Sequence, residues 1–216
     1  RVEKEAARLG LPNTVAYNLV FYGLVAGLIG ARLWHAVRFL GIYLDSPLSL
    51  FSLNAAALAP VEGLLTGLLV ALIYGWRKQL PLWSTLDTLP PGLALFAIFL
   101  GLAHLSSGDA FGAPTTLPWG VNLWGEKRHP SQVYEMIVAA LILLAIWRIR
   151  IGSPVEGFTF LTWVALAALG RLFLEAFRGD SVIVLGALRI AQPVSLGVLL
   201  AALWGLHARC RSVVET

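Results

Sequence analysis

Charge is scarce in this sequence. Of 216 residues only 13% are Asp, Glu, Lys or Arg, about half the share found in soluble domains, where it is roughly 25%. The net charge of +4 is small and scattered, which excludes a nucleic-acid footprint. Cysteine occurs once, at Cys210, so no internal disulfide forms. The four histidines and the acids show no metal-ligand spacing. No Gly-x-Ser-x-Gly is present, and nothing points to a serine nucleophile. Internal repeats and low-complexity segments are also missing. The first ten residues, RVEKEAARLG, are charged and lack an apolar signal core.

What is abundant is apolar sequence: 58% of residues are hydrophobic and the mean hydropathy is +0.77. A helix needs about 20 apolar residues to cross about 30 Å of hydrocarbon. Six stretches meet that length, at 14–37, 53–76, 85–105, 131–148, 157–177 and 184–207. The expected fold is therefore all-α: one polytopic membrane domain of six transmembrane helices spanning 1–216. The first span is rich in small residues (Gly23, Ala26, Gly27, Gly30, Ala31), which suits close helix contact in lipid. Pro90–Pro91 are expected to distort the third span near its inner end. Residues 106–130, rich in Gly, Pro and Trp, are expected to form an outer cap loop. Residues 39–55 form a second outer segment, an interfacial arm.

Lysine and arginine set the orientation. Arg1, Lys4, Arg8, Arg77, Lys78, Arg148, Arg150, Arg209 and Arg211 flank one side, nine in all. Arg38, Lys127, Arg128 and Arg178 make four on the other. The richer side is expected to be cytoplasmic, with both ends of the chain there.

This topology puts the polar residues of the spans in the outer half. Arg32, His35, Arg38, Glu62, His104, Arg171, Glu175, Arg178, Arg189 and Gln192 all fall there, as do residues 129–135. Asp87, at the inner start of the third span, is the exception. Charges inside a bilayer are costly and face protein or water. Arg171, Glu175 and Arg178 share one helix face by their spacing. Guanidinium groups grip phosphate bidentately. The arginines therefore suggest a cavity open to the outer leaflet that holds an anionic lipid headgroup, with Arg32, Arg171 and Arg178 sharing one hollow. Snorkelling at helix ends stands beside that reading for Arg38 and Arg178. His35 and His104 read as structural histidines and His207 as an inner-surface residue.

The octapeptide RHPSQVYE (128–135) closely resembles the His-Pro-Ser-Gln-Leu-Tyr-Glu motif of bacterial prolipoprotein diacylglyceryl transferases. GARLWHAV (30–37), SGDAFGAPTTLPWGV (107–121), GRLFLEAFRGD (170–180) and IAQPVSLGVLL (190–200) are similar to further segments of that family, in order and spacing. The resemblance implies a seven-helix fold whose first helix would precede Arg1. It implies transfer of diacylglyceryl from phosphatidylglycerol to the lipobox cysteine of prolipoproteins, at the outer face of the bacterial cytoplasmic membrane, with no cofactor.

By the same resemblance Arg171 contacts the lipid phosphate, Glu175 and Arg178 complete its segment, and His129, Ser131, Gln132, Tyr134 and Glu135 shape the cavity wall. Pro130 suits the first helical position. Two segments depart from the family's pattern. VEGLLTG (61–67) places Val61 where the family has a histidine, and LGLAHLSS (100–107) places Gly101 where it has an arginine. Glu62 is the residue that would substitute as proton acceptor, His104 lies one helical turn from Gly101, and Arg32 or Arg189 would reach the phosphate. The alternative function is a catalytically degenerate, lipid-binding subunit with partner chains in a membrane complex.

Overall fold

The computed structural model describes residues 13–52, 54, 57–149, 155–184 and 188–214. It is mostly helical. In chain order come α1 (Asn13–Arg38), α2 (Leu40–Asp45), a 3-10 turn (Pro47–Phe51), α3 (Pro60–Arg77), α4 (Leu82–Asp87) and α5 (Pro90–Ser107). A hairpin of β1 (Val121–Leu123) and β2 (Glu126–Arg128) follows, then α6 (Ser131–Ile149), α7 (Phe158–Leu174) and a second 3-10 turn (Glu175–Phe177). The short strands β3 (Ile183–Val184) and β4 (Leu188–Arg189) lead into α8 (Ala191–Val214).

Among the described residues, five stretches are long and apolar enough to cross a membrane: Tyr17–Arg38, Leu82–Ser107, Ser131–Ile149, Phe158–Phe177 and Ala191–Arg211. The remaining expected span corresponds to α3, 18 residues that include Glu62 and Arg77. Its helix starts at Pro60 rather than near 53, because proline is favoured in a first turn that needs no N–H. The third span is broken where Pro90–Pro91 predict it, between α4 and α5. The last helix begins later than 184, since β3 and β4 pair as a hairpin instead.

The chain's contacts fall into two compact units, residues 1–85 and 86–216. In the first, α1 packs on α3 through facing small residues. A Cβ added to Gly63 would lie 2.5 Å from the Ala31 Cβ, and one added to Gly67 would lie 2.6 Å from the Gly23 carbonyl. Two backbones this close gain dispersion contact that larger residues would prevent. Arg32, on α1, spends its guanidinium on the segment after it. Nε donates to the Leu50 carbonyl (2.8 Å), Nη1 to those of Ala57 (2.8 Å) and Asn54 (3.4 Å), and Nη2 to the Ser49 carbonyl (2.6 Å) and Ser52 Oγ (2.7 Å). A guanidinium has five N–H donors, and these five bonds use them. The expected interfacial arm is thus α2 plus a 3-10 turn gathered around Arg32, with no residue of either buried.

In the second unit α6 packs between α5 and α7, and α8 packs on α7. Asp87 fastens the start of α7. Its Oδ2 accepts the Gly157 N–H (2.6 Å) and its Oδ1 the Phe160 N–H (2.7 Å). Two donors that a helix start leaves unpaired are satisfied by a buried acid some 70 residues earlier in sequence.

The cap expected as a loop at 106–130 has strand pairing of its own. Beyond β1 and β2, the extended run 111–115 pairs on both sides. Thr115 N–H donates to the Lys127 carbonyl (2.8 Å) and His129 N–H to that of Ala113 (3.0 Å). Ala113 N–H reaches the Phe177 carbonyl and Gly179 N–H that of Phe111, both at 2.8 Å. The crossings are so tight that a Cβ on Gly112 would lie 2.1 Å from the His129 carbonyl, and one on Gly179 would lie 2.6 Å from that of Gly112. Glycine is required at both.

Candidate active site

Helix α6 opens at Ser131, and the Pro130 carbonyl accepts the first helical bonds, from Val133 (3.0 Å) and Tyr134 (3.2 Å). Pro130 therefore stands just before the helix rather than at its first position. The polar residues that follow divide into fasteners and one exception. Ser131 Oγ donates to the Ala110 carbonyl (2.6 Å) and Gln132 Nε2 to that of Asp109 (2.7 Å). Both side chains are buried, and both stitch the cap to α6. Tyr134 Oη accepts the Trp119 indole N–H (2.8 Å) and lies 3.4 Å from His129 Nδ1. The rings of His129, Tyr134 and Phe177 meet edge to face at 5.2–6.0 Å. His129 and Gln132, expected in a cavity wall, are fastening groups in this arrangement.

Glu135 is the exception. Its Oε1 takes Arg178 Nη1 at 2.8 Å and Arg171 Nη1 at 3.2 Å. Arg171, at the end of α7, also lies 2.9 Å from Glu175 Oε2, an ion pair whose angles fall outside hydrogen-bonding geometry. Arg178 is chelated by Asp180, Nε to Oδ1 at 2.9 Å and Nη2 to Oδ2 at 2.6 Å. Arg189 Nη1 donates to the carbonyls of Glu175 and Arg178, where the helix ends; the Glu175 carbonyl also accepts the Arg178 N–H (3.2 Å). Arg171 and Arg178 are ion-paired with Glu135, Glu175 and Asp180, and Arg189, on the nearby carbonyls, brings the formal charge of these six residues to zero.

The three arginines differ in availability. The Arg178 side chain is 12% exposed and its bonds to Asp180 and Glu135 occupy Nε, Nη1 and Nη2. Burial alone would lower its pKa; the hydrogen bond and charge of Asp180, with those of Glu135, outweigh burial and raise it. Asp180 is affected in the opposite sense. Burial pushes its carboxyl up, but the hydrogen bond and charge of Arg178 hold it below the usual carboxylate value. Arg189 is committed to backbone carbonyls. Arg171 is 40% exposed and borders a cavity.

That cavity, about 190 Å³, lies among α5, α6 and α7. Its wall is apolar (Ala97, Leu100, Val138, Ile142, Ala167 and Leu174 among others) apart from Glu135 and Arg171. It is smaller than the roughly 300–1,000 Å³ of pockets that enclose whole ligands. Gly101 is part of the wall, and Met136 occupies the space beside it: a Cβ there would lie 2.5 Å from Met136 Cγ.

The other expected site residues are placed as follows. Arg32, expected as a phosphate ligand, has its five donors committed to residues 49–57; backbone carbonyls supply four of those acceptors, a pairing that side-chain spacing does not reveal. Glu62 is ion-paired with Arg38 in the first unit. His104 has a buried Nδ1 without a hydrogen-bond partner and is not part of the cavity wall. The shared carboxylate Glu135 was expected only as wall. Its partners lie 36 and 43 residues away, and no local pattern announces them.

The comparisons with known proteins agree with the octapeptide. A family model described as prolipoprotein diacylglyceryl transferase matches residues 2–208. A phosphatidylglycerol–prolipoprotein diacylglyceryl transferase of Clostridioides difficile (strain 630) is 33% identical over 193 residues, covering 89% of this chain and 77% of the relative. Proteins of the same name from Trichormus variabilis (33% identical; 88% of this chain, 72% of the relative) and Enterococcus faecalis (28%; 93% and 77%) are also similar. With a family model over nearly all its length and relatives aligned over most of theirs, this mostly helical chain belongs to the prolipoprotein diacylglyceryl transferase family.

Proposed function

We propose that the chain transfers diacylglyceryl from phosphatidylglycerol to the lipobox cysteine thiol of a prolipoprotein, at the outer face of the cytoplasmic membrane. The observation that carries this reading is Arg171, the one arginine of its ion-pair group that borders the apolar cavity. A lipid seated there places acyl carbons against Leu100, Val138 and Ile142 and its phosphate at the guanidinium. Arg171 then stabilises the charge that gathers on the departing glycerol phosphate. Arg178, Asp180 and Arg189 hold the segment around it in place.

The orientation follows from the lysine and arginine asymmetry, which puts the Arg171 end of α7 outward. Val61 and Gly101 stand where the resemblance expects a histidine and an arginine. With Met136 filling the space beside Gly101, phosphate recognition falls to Arg171. The partners implied are phosphatidylglycerol or another anionic lipid and the signal peptide of a prolipoprotein.

Expression of the protein in a strain depleted of its own transferase tests the reading. A model prolipoprotein should gain the diacylglyceryl group, seen as a mobility shift and a mass increase on its lipobox peptide. Normal insertion without that gain would reject catalysis and leave a lipid-binding scaffold.

A further inference from the structure

Alkylation of a thiol requires that its proton leave, because the thiolate is the nucleophile. Within the 86–216 unit the cavity wall offers two titratable side chains, Arg171 and Glu135. A guanidinium stays protonated, so the carboxylate is the available acceptor. The neighbouring acids are otherwise engaged. Glu175 is 3% exposed and paired with Arg171, and Asp180 is chelated by Arg178.

Glu135 is held in a way that suits the task. Both arginines bind the same oxygen, Oε1, so Oε2 lies outside these ion pairs. The longer of the two contacts, 3.2 Å, is the one to Arg171. An incoming phosphate competes for Arg171 and brings one further negative charge into a group of six that is neutral at rest. The charged groups around Glu135 are Arg171 and Glu175 from the end of α7, Arg178 and Asp180 beyond it, and Arg189 from β4. Among the described residues, His104, Asp109, Arg128 and His129 form no ion pair with Glu135.

We infer that Glu135 is a catalytic residue, the carboxylate that accepts the acceptor-thiol proton once the lipid phosphate has drawn Arg171 away from it. This rests on the transferase reading above. The S–H proton passes to the carboxylate and the sulfur electron pair forms a bond to the terminal glycerol carbon. The C–O bond to phosphate breaks, and its electrons leave with glycerol phosphate. Glu135 then returns the proton to water. The negative charge lost from the carboxylate reappears as the second charge of the phosphate monoester, so the step balances.

A nucleophile that ionises on its own bypasses the base. The test uses the full chain in nanodiscs containing phosphatidylglycerol, with paired lipobox peptides carrying either cysteine or reduced selenocysteine; a selenol ionises at lower pH than a thiol. Glu135→Gln should lower transfer to the thiol by roughly 10²–10⁴-fold, the usual range for a lost general base. Transfer to the selenol and retention of phosphatidylglycerol should stay within about threefold of wild type, well inside that range. Equal loss on both peptides, or undiminished thiol transfer, would overturn the assignment. If Glu135→Gln does not insert, Glu135→Asp decides by the same ratio: a thiol-selective defect supports it and an equal defect refutes it. A wild-type chain that transfers to neither peptide would instead reject the transferase reading.

Discussion

Two arginines with the same chemistry have different duties here because their partners differ. Arg32 binds backbone carbonyls and Ser52; Arg171 binds carboxylates beside a cavity. Arg32→Gln should loosen residues 47–59, costing roughly 2–4 kcal/mol as bonds to a charged donor are lost. Limited proteolysis of that segment and thermal unfolding in detergent would report it. Arg171→Gln should cut phosphatidylglycerol retention, each charge-assisted hydrogen bond to phosphate being worth about 1.5–3 kcal/mol, and should also lower stability, because the buried Glu175 carboxylate loses its cation. The sign of the pH dependence at Asp180 follows from its lowered pKa. The stabilisation is present above the unfolded carboxyl value, near 4, and is lost as pH falls through the lower folded value. An acid titration should therefore release the Arg178 segment only at strongly acidic pH, and Asp180→Asn should remove that step. Arg171 was legible in the sequence because Glu175 follows it by one helical turn. The engagement of Arg32 was not, because carbonyl oxygens leave no mark on residue type.

At the scale of elements, Gly101 sets how closely α5 approaches α6. Gly101→Ala should cost roughly 1–3 kcal/mol through overlap with Met136, and Met136→Ala in the same chain should recover part of it. A double-mutant cycle of unfolding in detergent measures that coupling; additive effects would show that the two helices do not meet there. Asp87 anchors α7 from the end opposite Arg171. Asp87→Ala leaves two N–H groups of the first turn without their acceptor and should cost roughly 2–4 kcal/mol, with Asp87→Asn recovering part of the loss. The spans were legible as apolar runs, and the break at Pro90 followed from proline chemistry. The hairpin within the cap was harder to foresee. Its turn carries Trp124 at φ 56° before Gly125 at φ 78°, and tryptophan gives no signal for a left-handed backbone.

For the molecule as a whole, the proposed orientation rests on the lysine and arginine distribution, nine on one side against four on the other. Cys210 offers a direct check, being exposed near the end of α8 and the one cysteine of the sequence. A membrane-impermeant maleimide should label it only after the cells are permeabilised; labelling of intact cells would invert the topology. The expected gathering of Arg32, Arg171 and Arg178 in one hollow resolves into different assignments. Arg32 organises the first unit around α1, while Arg171 and Arg178 share Glu135 in the second.

The cancellation of three cations by three anions around Arg171 also governs what can reach it. Salt, free phosphate and sulfate in the surrounding medium feel little long-range attraction toward a cluster whose formal charges sum to zero. A phosphodiester attached to hydrocarbon tails arrives by partitioning, its concentration set by the leaflet and not by the medium. On the proposed transferase reading, selectivity for a lipid over a mobile ion would come from withholding electrostatic pull until the tails have delivered the headgroup.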